Sequence, residues 1–564
     1  MNYMPKLLEK FSIGLDFGTK SVRAILVNVI TGNVLASTDC NYPDGVIDQS
    51  LPKSKVKLPS DYALQNPYDW LFGMEDVVSR LLAESKISPS SIIGIGIDFT
   101  SCTILPTTQS GEPLMSFPDL YDNPHAWPKL WKHHAAQRQA DQVNTLAIER
   151  NEPWLSLYGG RISSEWVLAK CLQVYQESPE IYHAAERIIE GADWIVWQLT
   201  GKLVRNACGA GYKATWHVMS GYPSSDFLNS LSPGFGSLFI DKFSESVVAP
   251  GTFVGGLSEN WANRLGLPAD IPIGAGIIDA HSAAIGAGVT EPGSLFLAMG
   301  TSTCHMLLGD REILIPGISG VVKDGIVSGL FGYEAGQASV GDTFAWLIEN
   351  CIPPKYHQEA INKKLSIHDL LSEKAIKLKP GENGLLALDW WNGCRTPIVN
   401  AKLSGLVLGL TLQTTPEEIY RALIEATAFG TRLIIESFLN NGLAINQLLA
   451  GGGLTNNPLV MQIYSDITEK EIGIPESPEI AALGAAMLGA VAAGEVRGGY
   501  VDLKSAAKNM APEISQKYYP SPEAGKKYHS IYLEYKQLVG YFGQYQNQVM
   551  EFLRQTRNDI KRSH

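Results

Sequence analysis

Nothing in this chain builds a disulfide framework or a structural zinc site. Its seven cysteines, Cys40, Cys102, Cys171, Cys208, Cys304, Cys351 and Cys394, are scattered and odd in number. No Cys-x-x-Cys or His-Glu-x-x-His occurs. A reducing, cytoplasmic compartment is the expectation. Long apolar runs are missing too. Residues 1–11 hold no apolar core fit for a signal peptide, and the longest small-and-apolar run, residues 481–494, is too short to span a bilayer. No membrane partner is expected. Basic charge is in deficit: 45 Lys and Arg stand against 57 Asp and Glu, a formal net charge of -12. Non-specific nucleic-acid binding rests on cations that neutralise phosphates, so that class is disfavoured. The densest basic run near the N-terminus, Lys53, Lys55 and Lys57, has no interleaved aromatic residue and reads as a solvated loop. A Walker-type loop capping a helix is absent, and so is a Gly-x-Gly-x-x-Gly running into one.

What is present is a chain of 564 residues, too long for a single hydrophobic core, so two large domains are expected, with room for a terminal extension. Residues 12–27 place apolar segments on both sides of Gly18-Thr19, the pattern of strand, tight turn and strand. Thr31-Gly32-Asn33 supplies a second turn, and Ile92-Ile-Gly-Ile-Gly-Ile-Asp-Phe99 reads as a buried strand. The same construction returns at residues 294–308 around Gly300-Thr301, about half the chain later. Two such hairpins suggest two related domains facing one another. Residues 221–239 and 353–379 look loop-rich, as insertions or lids. Residues 523–562 carry Tyr528, Ile531, Tyr532, Tyr535, Leu538 and Phe542 at helical spacing, one or two amphipathic helices docked on the body.

Four motifs carry chemistry. In Asp16-Phe-Gly-Thr-Lys-Ser-Val-Arg23, a glycine lets backbone N–H groups approach a phosphate, and Thr19 and Ser21 add hydroxyls. Asp16 is suited to hold Mg2+ through water. The plainer reading is an ordinary hairpin with a surface acid. Gly300-Thr-Ser-Thr303 supplies the same donors without the acid, and two such turns from opposing domains could grip one polyphosphate. Ala450-Gly-Gly-Gly-Leu-Thr-Asn-Asn457 offers a flat ligand bare backbone between strand and helix, or is a tight packing turn. The helix expected after it, within residues 481–490, has a small-residue face that permits close approach and no further role. In Gly274-Ala-Gly-Ile-Ile-Asp279-Ala-His281, a single acid ends a strand and begins a helix. Asp279 is either an N-cap or a general base for an attacking hydroxyl. His133 and His134 read as locally packed, Trp390-Trp391 as core or cleft wall, and Cys102 as no nucleophile.

These motifs, in this order, resemble the FGGY carbohydrate kinase family over nearly the whole chain, from about residue 12 to 494. The resemblance implies an α/β fold of two actin-like, ribonuclease-H-like ATPase domains around a catalytic cleft. Residues 1–285 and 286–510 would be those domains, and residues 511–564 a helical extension. It implies ATP as co-substrate with Mg2+, and Asp279 as the catalytic aspartate. Asp16, Gly18, Thr19, Lys20, Arg23, Gly300 and Thr301 would serve the nucleotide phosphates, and Gly341, Gly452 and Asn456 the rest of the nucleotide. Further segments, Asp98-Phe-Thr-Ser-Cys-Thr103, His125 with Trp131-Lys-His-His134, Gly159-Gly-Arg-Ile-Ser-Ser-Glu165, Cys208-Gly-Ala-Gly-Tyr-Lys213 and Asp389-Trp-Trp-Asn-Gly393, are most similar to members acting on L-ribulose. That likeness implies phosphorylation of L-ribulose to its 5-phosphate in L-arabinose catabolism. Sugar contacts would fall on Ser101, Trp131, Lys213, Asp279 and Glu334, with Ser101 where some relatives have alanine and Lys213 in a glycine-rich loop that can bring its ammonium close to a small ligand. Another ketopentose or pentitol is the alternative acceptor, and a homodimer stays open. A nucleotide switch on the same fold would need an interaction surface that is not evident, and a silent sugar sensor would not need both Asp16 and Asp279.

Overall fold

A computed structural model describes residues 9–544 and 547–562, so the reading of residues 1–11 lies mostly outside the described residues. Two seven-stranded sheets organise the chain, and both follow one plan. In the first, Val34–Asn41, Ser21–Asn28 and Phe11–Phe17 run antiparallel, and Phe11–Phe17 then pairs in parallel with Ile92–Phe99. Pro272–Gly274 and Ile277–Ile278 both continue beside Ile92–Phe99, and Phe253–Gly256 closes the edge. The second sheet repeats this with Gly320–Lys323, Phe331–Gln337, Thr303–Gly309 and Ser294–Met299, the last pairing in parallel with Gln447–Gly451. Ile472–Pro475 and Ile514–Tyr518 complete it. The two hairpins expected from sequence are thus the leading strands of two related α/β units.

The helix Ile480–Arg497 lies flush against the first sheet because glycine faces it from several strands. A Cβ at Gly14, Gly94 or Gly96 would overlap the backbone of Ala482, Gly489 or Ala485. Gly286, in the helix Asp279–Gly286, meets Ile480 in the same way, and Gly484 meets Ser282. In Ile92–Phe99, Gly94, Gly96 and Asp98 therefore occupy one face, while Ile95, Ile97 and Phe99 point into the core around Trp70 and Trp194. Side chains alternate along a strand, so Asp98 sits where the helix-facing side ends.

Several expectations change. The run at residues 481–494 is part of a helix of 18 residues, long and apolar enough by length and composition to cross a membrane, contrary to the sequence reading. Of that helix, 61% is buried inside the protein, which explains its apolarity as core. Residues 353–379 are not loop-rich. They form helices Pro354–Lys363 and Ile367–Ala375, which bury Tyr356, Ala360, Leu370 and Leu371. Residues 221–239 contain the helix Ser225–Leu231, whose N-cap Ser224 accepts from the Phe227 amide and whose Phe227 and Leu228 are buried. Near the C-terminus, the strand Ile514–Tyr518 belongs to the second sheet, and the helices Pro522–Val539 and Val549–Arg562 follow. The first of these docks through buried tyrosines: Tyr528 donates to Glu425 and Tyr535 to Asp389, both at 2.9 Å.

Candidate active site

Both sheets turn their strand ends towards one cleft of about 360 Å³. From the first half come Ser101, Trp131, Glu165, Lys213, Asp279 and His281; from the second come Gly300, Thr301, Glu334, Arg395, Gly451 and Gly452. Asp16 and Asp98 are ladder partners on adjacent parallel strands, and Asp98 also pairs with Ile277, two residues before Asp279. Three carboxylates thus meet at neighbouring strand ends.

Their electrostatics follow from burial. Asp98 is completely buried, and its carboxyl faces Asp16 and Ser282 without a hydrogen bond of good geometry to either. Burial first, then the charges of Asp16 and Asp279, hold its carboxyl well above the usual carboxylate range. Asp16 is also pushed up by burial, although Asp98 and Arg23 pull it back. Asp279 is raised to about 7, by burial and then by Asp16, against the Ala280 amide and Lys213. It stands at the first residue of its helix, and its Oδ1 accepts from the Ala280 amide at 2.7 Å. Ile278 holds the N-cap position, so capping does not account for this acid.

Lys213 was expected in a glycine-rich loop, but it ends the helix Ala207–Lys213. Gly209 and Gly211 serve packing there, since a Cβ would strike Glu190 or Val322. Lys213 Nζ reaches both Glu334 oxygens, at 2.7 and 2.8 Å, and the pair joins the two halves of the chain. His281 Nε2 stands 3.3 Å from Glu334 Oε2, the oxygen that Lys213 reaches at 2.8 Å. Burial alone would push Glu334 up, but Lys213 and His281 hold it at about 2.

The first hairpin meets the cleft through Trp131, whose Nε1 donates to Thr19 Oγ1 at 3.0 Å. In the second hairpin, the Gly300 carbonyl accepts from Gly341 at 3.1 Å, and Thr301 accepts from Val340 at 2.8 Å. Gly341 is required by that approach, since a Cβ would come 2.7 Å from the Gly300 oxygen. Gly452, at φ +103, lies equally close over Met299. The structure therefore brings Ser101, Trp131, Lys213, Asp279, Glu334, Gly300, Thr301 and Gly452 together, with Thr19, Gly341 and Asp16 one contact behind. Gly18 closes the first turn, donating to Ser21 at 2.9 Å, and Arg23 lies opposite Asp16 in the ladder. Lys20 and Asn456 are exposed and do not line the cleft.

Sequence reasoning missed Asp98, Glu165, His281 and Arg395 as site residues, and Lys170 entirely. Lys170 is fully buried, and its ammonium donates to the carbonyls of Cys102 at 2.7 Å and Leu130 at 2.8 Å. It thereby fixes the backbone beside Ser101 and Trp131. Burial pushes the Cys102 thiol up to about 12, which removes it as a nucleophile. His133 is buried against Gln173 at 2.9 Å, as local packing requires. Trp390 is buried, Trp391 meets Trp346 at a tilt with ring centroids 5.2 Å apart, and neither lines the cleft.

Residues 11–286 match the N-terminal domain of the FGGY family of carbohydrate kinases, and residues 295–493 match its C-terminal domain. A ribulokinase of Bacillus licheniformis is 50% identical over 95% of this chain and 98% of that protein. A ribulokinase of Geobacillus thermodenitrificans is 48% identical over 97% of each. Among solved structures, the xylulose kinase of Rhodospirillum rubrum superposes with a TM-score of 0.77 at 22% identity, covering 94% of this chain and 99% of that one. That likeness concerns the fold.

Proposed function

The chain belongs to the FGGY family of carbohydrate kinases and is an ATP-dependent sugar kinase, and we propose that it transfers the γ-phosphoryl group of ATP to O5 of L-ribulose, as its ribulokinase relatives imply, in the breakdown of L-arabinose. The observation that carries the mechanism is the position of Asp279. It is the only carboxylate that both lines the cleft and abuts the buried Asp16 and Asp98, among the described residues.

Phosphoryl transfer asks mainly for positioning and charge stabilisation. The turns at Gly18-Thr19 and Gly300-Thr301 hold the phosphates from opposite halves. Gly452 lets the nucleotide lie against bare backbone. Asp279 accepts the proton of the attacking hydroxyl, and its carboxyl near 7 suits that task at neutral pH. Lys213 and Glu334 present a donor and an acceptor to the sugar hydroxyls, with Ser101 and Trp131 beside them.

The residues fit Mg2+ held through water. Asp98 and Asp16 lie side by side with little water between them, and a cation there would relieve the repulsion that raises Asp98. No group of three or more His, Cys, Asp or Glu side chains is arranged to hold a metal directly among the described residues. When bound, Mg2+ neutralises charge on the transferring phosphates.

The test is ADP release with MgATP against L-ribulose, both xylulose enantiomers, ribitol and glycerol, with and without sugar. L-ribulose should give the highest kcat/KM, with L-ribulose 5-phosphate as product. Sugar-independent hydrolysis would instead indicate a nucleotide switch, and a better acceptor elsewhere in the panel would replace the L-ribulose assignment.

A further inference from the structure

Arg395 is a charged group in the cleft that the mechanism above leaves unused. It lines the same cavity as Asp279 and Glu334, and it is half-buried. Its side chain runs along Gly336, where a Cβ would come 3.4 Å from Nη1 and 3.5 Å from Cδ. The missing side chain leaves the guanidinium its path. Among the described residues, no hydrogen bond or ion pair engages that guanidinium. The charges near it are Glu165, from the first half, Glu334 and the Lys213 ammonium. A half-buried guanidinium that faces a cavity with no protein partner is placed to donate to a ligand.

The chemistry of the cleft says which ligand atom it suits. Asp279, Glu334 and Glu165 are acceptors, and they serve hydroxyl groups, which can donate. Lys213 is already engaged by both oxygens of Glu334. Arg395 is the one charged donor there without a partner, and guanidinium donates only. An open-chain ketose carries one group that accepts only, its carbonyl. The strand Phe331–Gln337 places Arg395: Gly336 follows Glu334 by two residues and so shares its face, which sets the Arg395 side chain one step along that face from Glu334.

We propose that Arg395 hydrogen-bonds the C2 carbonyl of an open-chain ketopentose and thereby selects ketoses over the corresponding pentitols. This rests on the ketopentose-kinase reading. L-ribulose, ribitol and L-arabinitol test it, because the two pentitols differ from the ketose only at C2. In the wild type, kcat/KM should be higher for L-ribulose than for either pentitol. Arg395→Met should lower it about 10- to 100-fold for L-ribulose, as for a lost hydrogen bond to a charged group, and change it less than about 3-fold for the pentitols. Arg395→Lys should keep part of the preference. Affinity for a non-hydrolysable ATP analogue should not move in either variant, which also reports a folded nucleotide site. Equal losses on ketose and pentitol, or an unchanged ratio, overturn the carbonyl assignment while L-ribulose kinase activity stands. A wild type that phosphorylates none of the three overturns the functional reading and this inference with it.

Discussion

Lys213→Met removes one half of a pair whose geometry sets the expected loss. The ammonium lies 2.7 and 2.8 Å from the two Glu334 oxygens, and the side chains are only 8% and 5% exposed. Without Lys213, Glu334 keeps only His281, at 3.3 Å, and water cannot replace the lost partner at that depth. Breaking a buried pair from one side costs about 3–5 kcal/mol, because the remaining charge is stranded. The loss should appear twice. Urea denaturation should show the variant less stable by that amount, and kcat/KM for L-ribulose should fall by roughly 10²–10⁴. The nucleotide-analogue Kd should hold. Adding Glu334→Gln removes the stranded charge, so the double variant should regain most of the stability and none of the sugar turnover. Acid titration carries the same signature. Glu334 has its folded pKa depressed to about 2 from 4.5, so its contribution is complete above pH 4.5 and is lost as pH falls towards 2. A single variant as stable as wild type would refute the energetic reasoning. A double variant that recovers sugar turnover would make the pair structural rather than part of the sugar site.

Asp279→Asn should lower kcat by roughly 10²–10⁴ with nucleotide affinity retained, and near-normal turnover would remove the general base. Because the Asp279 carboxyl is raised to about 7, kcat/KM should climb with pH up to that point and then level, a limb the variant should lack. A raised acid costs stability as pH rises from 3.8 through 7, so Asp279→Asn should gain stability over wild type at pH 8 and not at pH 3. Thr19→Val and Thr301→Val should each weaken binding of the ATP analogue by calorimetry; two unchanged affinities would dissolve the two-turn grip. Thr19→Val should also raise KM for L-ribulose, because it frees Trp131 Nε1. Gly96→Ala should cost about 3 kcal/mol or more in urea, since its Cβ would overlap the Ala485 carbonyl and both partners are backbone. An unshifted midpoint would mean the helix Ile480–Arg497 can back away.

What could be read from sequence was what local order encodes. The turn at Gly18-Thr19, its repeat at Gly300-Thr301 and the strand Ile92–Phe99 each follow from a few consecutive residues, and all three stand where expected. The misreadings share a cause. Glycines at 209 and 211 suggested a loop, yet they lie in a helix and are small because Glu190 and Val322 press on them. A glycine looks the same in sequence whether the chain turns there or another element touches there. Arg395, Glu165 and Lys170 acquire meaning only from partners far along the chain, such as the carbonyls of Cys102 and Leu130 for Lys170.

Asp98 is the instructive case, because its role was written in a pattern that had two readings. Ile-Gly-Ile-Gly-Ile-Asp-Phe was legible as a buried strand, but the alternation of glycine with isoleucine within it was given no meaning of its own. In the structure that alternation is a division of faces. The isoleucines enter the core, while Gly94 and Gly96 let the helix Ile480–Arg497 lie on the backbone. Asp98 continues the glycine face by one step, as Asp16 continues that of Gly14 on the neighbouring strand. Both acids are therefore carried beneath the start of the helix Asp279–Gly286, which packs on the same small-residue helix through Gly286 and Gly484. The close packing that excludes water from this layer is also what raises the three carboxyls. Any substitution that lifts the helix from the strand should lower the pKa of Asp279 and move the acid limb of kcat/KM with it, even though it touches no substrate.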